Sequence, residues 1–212
     1  MGGMPYKIIQ DDRYFNDIVF NKNDLILEIG TSWRDDQSTT HLYNYSQKHN
    51  IGFTTVDVID VPDKPDYVDS RLYASGSQWC KDILPTLNKK IKILHLDNFD
   101  WIYNLENPDP RVQVQIDSYL ARGVVMNNEN SQAEHRLQVQ CCMPYMAEQS
   151  IVIMDDTYKN IGPEQFWNGK CGTAIQVLLD NGYNVKQIWG KPIFNNKCGA
   201  IAWRGLNEPM PL

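Results

Sequence analysis

Short apolar runs alternate along this chain with longer segments in which apolar and polar residues mix at helical spacing. The runs are nearly continuous in apolar character, which is typical of strands buried on both faces of a parallel sheet. Strands are predicted at Leu25–Ile29, Phe53–Ile59, Ile91–Leu96, Ile151–Met154, Tyr183–Trp189 and Lys197–Trp203. Only a loop separates the last two, which predicts an antiparallel pair. We therefore expect an α/β fold of the Rossmann-like, doubly wound type, with a mostly parallel sheet and an antiparallel C-terminal edge strand.

Helices are predicted between the strands, and two of them carry signals at their ends. Asp109 and Pro110 read as an N-cap and first helical residue, and Gly123 follows the last turn of that helix. Ser131 and Glu134 have the spacing of a capping box at the start of the next helix. The remaining helices are predicted at 36–48, 77–88 and 172–180, and Pro144 is expected to kink or shorten the helix that begins at Ser131.

Length and charge narrow the class of protein. The chain has 212 residues and a net charge of −6, from 20 basic and 26 acidic residues. Neither a repeat nor a linker divides it, so we expect one domain, 1–212. The acidic balance argues against a nucleic-acid partner, and the lack of a long apolar run argues against a membrane partner. Five cysteines without a CxxC pair favour a reducing, cytoplasmic location over a secreted disulfide framework.

The first candidate site follows the first predicted strand. Glu28, Gly30 and Ser32 stand at its end, where ligands bind in open α/β sheets. Asp57 stands near the end of the second strand, 27 residues after Gly30, where a carboxylate can accept hydrogen bonds from both hydroxyls of a ribose. The full GxGxxG fingerprint is absent, since Gly30 is the only one of its three glycines present. An ordinary strand-to-helix turn and a solvated carboxylate are the alternatives.

The second candidate site is a group of acids after two later strands. Asp97 and Asp100 follow one strand, and Asp155 and Asp156 follow another. If the strands are neighbours, Asp97, Asp155 and Asp156 converge at the edge that carries Gly30. Such a cluster needs a cation or a proton to offset the repulsion, and its oxygen ligands suit Mg²⁺. The alternative is that one acid caps a helix and another is solvated.

Taken in order, the motifs resemble those of class I S-adenosylmethionine-dependent methyltransferases. The segments concerned are Leu27–Ser32, Val56–Asp57, Leu96–Asp100 and Ile153–Asp156, within roughly residues 20 to 190. They are most similar to small O-methyltransferases that act on sugars, macrolides or catechols, several of which use Mg²⁺. The resemblance implies S-adenosylmethionine as cofactor, a small-molecule acceptor and no nucleic acid.

The resemblance also implies roles for individual residues. Glu28, Gly30 and Ser32 would hold the amino-acid end of the cofactor, Asp57 its ribose and Asp69 its adenine. The full set of expected cofactor-binding residues is Glu28, Gly30, Thr31, Ser32, Asp57, Val58, Asp69 and Asp97. Asp97, Asp155 and Asp156 match the metal-chelating positions of the metal-dependent members.

The sequence departs from the family pattern in two places. Trp33–Asp36 stands where small residues and a second glycine are usual, and Asp100 stands where a histidine base is usual. Asp97 and Asp100 are therefore the candidate catalytic residues, with Asp100 as base if a metal acidifies the acceptor hydroxyl. The segment 101–130 is longer than the resemblance requires. It is interpreted as a lid over the acceptor, with a decorative insertion or a contact in a homo-oligomer as alternatives.

The sequence therefore predicts methyl transfer to a hydroxyl of a sugar, natural product or catechol-like acceptor, with metal assistance. Two rivals remain. One is a nucleotide-binding oxidoreductase or transferase on a related sheet, and the other is a non-catalytic Rossmann-like binding module.

Overall fold

A computed structural model describes residues 17–31, 38–57, 68–69, 75–99, 101–160, 166–189 and 198–208. The strands are β1 (Asp24–Ile29), β2 (Gly52–Val56), β3 (Val68–Asp69), β4 (Lys90–Leu96), β5 (Met146–Asp155), β6 (Thr157–Lys159), β7 (Trp167–Gly169), β8 (Asn184–Trp189) and β9 (Gly199–Arg204). The helices are α1 (Ser38–His49), α2 (Gly76–Asp82), α3 (Pro110–Leu120), α4 (Asn128–Cys142) and α5 (Ala174–Asp180). None of these helices combines the length and apolar character needed to cross a membrane.

Seven of the strands form one sheet in the order β3-β2-β1-β4-β5-β9-β8. Strands β1 to β5 pair in parallel, whereas β9 runs antiparallel to both β5 and β8. The predicted Rossmann-like α/β fold is thus confirmed, with an antiparallel pair at one edge. Within that pair the reversed strand is β9, which lies second from the edge, while the edge strand β8 runs parallel to β5.

Helices cover both faces of the sheet, which explains why its strands are apolar almost throughout. In β1, Leu25, Leu27 and Ile29 contribute to the core shared with α2, α4 and α5. Ile26 points to the other face and packs in the core that includes Leu42 of α1. All six residues of β1 are buried, so any polar side chain in this strand requires a partner inside the protein.

Several elements differ from their predicted bounds. Helix α2 ends at Asp82, and a 3₁₀ turn that includes Pro85 takes the place of its predicted second half. Helix α4 ends at Cys142, before Pro144, as expected for a proline that shortens it. The predicted capping box is wrong: α4 begins three residues before Ser131, with Asn127 as N-cap, whose side chain accepts a hydrogen bond from the Asn130 N–H.

A small hairpin of β6 and β7, unforeseen in the sequence, follows β5. Asp156 directly precedes the hairpin and Lys170 directly follows it, because Thr157 pairs with Gly169. The Lys170 N–H donates to the Asp156 carbonyl at 3.0 Å. The hairpin therefore holds these two residues side by side at the end of β5.

Candidate functional site

The candidate site lies where the sheet changes winding direction, between β1 and β4. Backbone hydrogen bonds bring three strand ends together there. The Gly30 N–H donates to the Val56 carbonyl at 2.8 Å, and the Asp97 N–H donates to the Ile29 carbonyl at 2.9 Å. In open α/β sheets, the crevice at such a switch point is the usual position for a ligand.

Gly30 is required at this point by the protein's own backbone. Its φ is +103°, and a Cβ there would lie 2.4 Å from the Asn98 nitrogen and from the Asp97 carbonyl carbon. The absence of a Cβ at Gly30 thus allows the backbone of the loop after β4 to lie close to it. Its predicted contact with a cofactor is a separate matter that stays a prediction.

Asp57 ties the end of β2 to the loop after β1. Its Oδ2 accepts a hydrogen bond of 2.9 Å from the Thr31 N–H, while the Thr31 hydroxyl lies 2.8 Å from that of Thr55. Asp57 is half-buried. A carboxylate is therefore held at the edge of the sheet, in the place expected for a ribose-binding residue.

Glu28 lies deeper than its predicted function requires. It is fully buried; its Oε2 accepts a 2.6 Å hydrogen bond from the Thr39 hydroxyl, and its Oε1 is 3.0 Å from His95 Nδ1. Both carboxylate oxygens are thus engaged by α1 and β4. Glu28 joins these elements to β1, and its direct contact with a cofactor stays a prediction.

Four of the predicted site residues are described incompletely or not at all. Ser32, Val58 and Asp100 lie outside the described residues. Asp69 is described as a backbone position only, paired with Val56 at the end of β3. Asp100, the second catalytic candidate, therefore stays a prediction.

The structure brings Asp97, Asp155 and Asp156 together. Strand β5 pairs with β4, and the carboxyl groups of Asp97 and Asp155 are hydrogen-bonded to each other. Burial, together with repulsion from Asp97 and Asp156, raises the pKa of Asp155 well above its usual value. Burial alone would also raise the pKa of Asp97, but the charges of Lys170 and His95 outweigh it and lower that pKa. Of this pair, Asp155 is therefore the carboxyl group that binds a proton more readily.

The cation among these carboxylates is Lys170, which sequence reasoning missed. Its side chain is 0% exposed, and its Nζ lies 2.8 Å from Asp97 Oδ1 and 3.4 Å from Asp156 Oδ2. Gly169 allows this placement, since with φ at +82° a Cβ would lie 1.8 Å from the Asp156 carbonyl oxygen. The sequence signal was the acidic cluster itself, because clustered acids require a counter-charge.

These carboxylates are a poor fit to the predicted metal site. In the described part of the chain, no group of three or more His, Cys, Asp or Glu side chains is arranged to hold a metal ion. Asp97 Oδ1 and Asp156 Oδ2 contact the Lys170 ammonium instead. A metal at this site therefore stays a prediction.

A cavity of about 230 Å³ lies beside the cluster, within the segment predicted as a lid. Its lining includes Trp101, Tyr103 and Val112. The Tyr103 hydroxyl donates to Asp156 Oδ1 at 2.9 Å and lies 3.1 Å from Cys198 Sγ. Burial, ahead of repulsion from Asp156, raises the pKa of Tyr103. Tyr103 thus connects the cavity wall to the carboxylate cluster as a hydroxyl that keeps its proton.

The segment around this cavity leaves the sheet and returns to the same place. Asn128 binds both backbone groups of Ile102, with its Oδ1 2.8 Å from the Ile102 nitrogen and its Nδ2 2.9 Å from the Ile102 oxygen. Phe99, Tyr119 and Met126 form a small separate core beneath it. The two ends of the segment are thus joined by hydrogen bonds, and the segment has a small core of its own. Its action as a lid stays a prediction.

Three of the buried polar atoms that lack a hydrogen-bond partner in the described part of the chain belong to β4, the loop after it and helix α4. They are Asn98 Oδ1, His95 Nε2 and His135 Nε2. Buried polar groups are normally paired, so each of these atoms requires a reason. Burial, ahead of repulsion from Lys170, lowers the pKa of His135 to about 4. His135 is therefore a neutral neighbour of the charged cluster.

No protein-family model matches the chain, and no curated protein matches it either. The membership suggested by the motifs stays a prediction, and the fold stands on the sheet topology alone.

Proposed function

We propose that this protein transfers a methyl group from S-adenosylmethionine to a hydroxyl of a small-molecule acceptor. The observation that carries the proposal is the convergence of the ends of β1, β2 and β4 at the switch point of the sheet, where the ligand crevice of an open α/β sheet lies. There the loop after β1, held by Asp57, meets the loop after β4. Lys170 and Asp156 link Asp97 in that loop to Tyr103, which lines the cavity of the 101–130 segment. A sheet with this strand order, in which the strand next to the edge runs antiparallel, is also typical of class I methyltransferases. The fold therefore supports the proposal.

The residues at the crevice fit such a cofactor. Asp57 provides a half-buried carboxylate for ribose hydroxyls. Asn98, whose backbone nitrogen lies next to Gly30, has a buried Oδ1 without a partner among the described residues, and a cofactor amino group would supply an N–H for it. Asp97, whose side chain is 26% exposed, presents negative charge beside them. Together they favour a cationic ligand that carries hydroxyl and amino groups.

The proposed reaction is an in-line displacement in which the protein mainly positions the reactants. When bound, the cofactor would supply a methyl group activated by its sulfonium centre and would leave as S-adenosylhomocysteine, while the hydroxyl proton of the acceptor would pass to a base, for which Asp100 stays the predicted candidate. The chain would hold the two reactants in contact and exclude water, and such positioning accounts for a large part of the rate gain in two-substrate reactions. Asp97 acts here through its charge, since its lowered pKa makes it a weak proton acceptor.

Titration calorimetry with S-adenosylhomocysteine tests the cofactor assignment. We expect micromolar binding, weakened about 10- to 100-fold by Asp57→Asn, which keeps an acceptor for the Thr31 N–H but loses the charge. Asp180→Asn is the matched control, because Asp180 is exposed at the end of α5, just before β8 begins at the opposite edge of the sheet.

The same titration separates the rivals. Binding of NAD⁺ with no binding of S-adenosylhomocysteine would replace the proposal with a nucleotide-dependent oxidoreductase. No binding of either ligand would favour a non-catalytic module. The proposal also includes a small-molecule acceptor, a cytoplasmic location and homo-oligomerisation. All five cysteines are free thiols, and this places no restriction on these parts of the proposal.

A further inference from the structure

The carboxylate cluster contains a cation supplied by the chain itself. The Lys170 side chain is 0% exposed, and a buried ammonium is costly unless carboxylates and hydrogen bonds compensate it. Asp97 Oδ1 at 2.8 Å and Asp156 Oδ2 at 3.4 Å provide that compensation. This is a constructed ion cluster in the protein interior, unlike the half-exposed pair of Lys186 and Glu208 at the surface.

Three elements hold the cluster in place. The β6–β7 hairpin sets Lys170 beside Asp156 through its register and through the Lys170 N–H to Asp156 carbonyl bond. Strand β4 brings Asp97 from the switch point. Asp156 in turn accepts a hydrogen bond from the Tyr103 hydroxyl in the cavity wall. A continuous chain of contacts therefore runs from the crevice between β1 and β4, through Lys170, to the cavity.

A divalent metal ion and this ammonium compete for the same oxygens. Mg²⁺ needs oxygen ligands at about 2.0–2.1 Å in octahedral geometry. Asp97 Oδ1 and Asp156 Oδ2 already contact Lys170 Nζ, and the carboxyl group of Asp155 is hydrogen-bonded to Asp97. A second cation placed among these atoms would also be repelled by the ammonium at close range.

We propose that Lys170 is the resident cation of this site, taking the place that a divalent metal has in metal-dependent relatives of the resembled family, and that the site works without such a metal. Lys170 is a positioning residue: it orients Asp97 toward the crevice and Asp156 toward Tyr103. For the proposed methyl transfer, a site without a metal implies an acceptor that is oriented by hydrogen bonds, and this implication rests on the proposed function. A catechol that must chelate a metal does not fit.

Titration of the whole chain with Mn²⁺, followed by electron paramagnetic resonance of the free ion, tests the proposal. We expect no stoichiometric binding to the wild-type protein. Removal of the ammonium in Lys170→Ala should create a Mn²⁺ site that a further Asp156→Asn change removes. Lys186→Ala, the surface control, should create none. A residue that only filled space would not produce this gain.

Stoichiometric Mn²⁺ binding to the wild type that Asp97→Asn or Asp156→Asn abolishes would overturn the proposal. So would a folded Lys170→Ala protein that gains no site. If that variant does not fold, the wild-type titration still decides. The experiment involves no S-adenosyl ligand, so its failure is distinct from failure of the methyltransferase assignment.

Thermal unfolding provides a second measurement. Lys170→Met should lower Tm, because it leaves buried carboxylates without their counter-charge. Combined with Asp156→Asn, the loss should be smaller than the sum of the two single losses. Lys186→Met with Glu208→Gln should be close to additive. Additive losses at Lys170 and Asp156 would also contradict a charge-based function for the lysine.

Discussion

At the scale of single residues, the backbone around Gly30 makes a sharp prediction. Gly30→Ala places a Cβ 2.4 Å from backbone atoms of residues 97 and 98, in addition to the strain of a positive φ. Gly123 also has a positive φ, at +76°, but has no heavy atom within 4 Å of a Cβ. We expect Gly123→Ala to cost about 1 kcal/mol and Gly30→Ala roughly 3 kcal/mol or more, because only the latter adds a backbone clash.

Urea unfolding of the two glycine variants measures this difference. Equal losses would show that the loop after β4 moves aside without cost, and that the close approach is not needed for stability. The wild-type protein and both variants should be compared at one pH. The carboxylates near residue 97 then contribute equally to the three free energies of unfolding.

The residues of the site differ in how far the sequence predicted them. Asp57, Asp97 and Asp155 follow apolar runs, and a parallel sheet gathers such strand ends at one edge, so their proximity was predictable. Lys170 was not, because it follows a short hairpin whose pairing has no strong local pattern. The depth of Glu28 was missed too, since its partners Thr39 and His95 come from distant parts of the chain.

At the scale of elements, contacts between helices overrode local signals. Ser131 and Glu134 look like a capping box, yet each serves another element. The Ser131 hydroxyl donates to the Phe99 carbonyl at 3.1 Å. Glu134 accepts hydrogen bonds from the N–H and hydroxyl of Ser77, at 2.7 and 2.9 Å, in the first turn of α2. Helix α4 thus supplies an N-terminal cap to its neighbour.

Glu134→Gln tests that interhelical cap. The amide oxygen can keep the bonds from the Ser77 N–H and the Gln138 amide, but the negative charge that strengthens these bonds and the bond from the Ser77 hydroxyl is lost. We expect a loss of about 2 kcal/mol in the free energy of unfolding in urea. Glu129→Gln, at an exposed position of the same helix, should cost less than about 0.5 kcal/mol. Equal effects would mean that Glu134 contributes no more than a surface acid.

At the scale of the whole molecule, the sequence predicted the layered α/β architecture because the buried strands are apolar at most positions on both faces. The position of β9 could not be read in the same way. Its apolar run predicts a strand, but only pairing with both β5 and β8 makes it the inner member of the antiparallel pair. Part of the acidic balance of the chain is now accounted for inside the protein, where Lys170 offsets Asp97 and Asp156.

The pH dependence of stability is the property of the whole molecule that the buried groups predict most directly. The pKa of His135 is about 4 in the folded protein, against about 6.5 in an unfolded chain. Between these values the unfolded chain takes up a proton that the folded protein excludes. Stability should therefore fall as the pH drops from about 6.5 to 4, by about 3 kcal/mol from this residue.

His135→Gln isolates that contribution. The amide can still donate to the Ser131 carbonyl, which lies 2.7 Å from His135 Nδ1, but it does not titrate. Since carboxylates such as Asp97 titrate in both proteins, the difference between their urea-unfolding free energies reports on His135. That difference should shift by about 3 kcal/mol toward the variant as the pH falls from about 6.5 to 4. His49→Gln, a change at a half-exposed histidine of α1, is the control and should give a much smaller shift. If the unfolding free energies of the wild type and His135→Gln stay parallel over this pH range, His135 takes up its proton in the folded state.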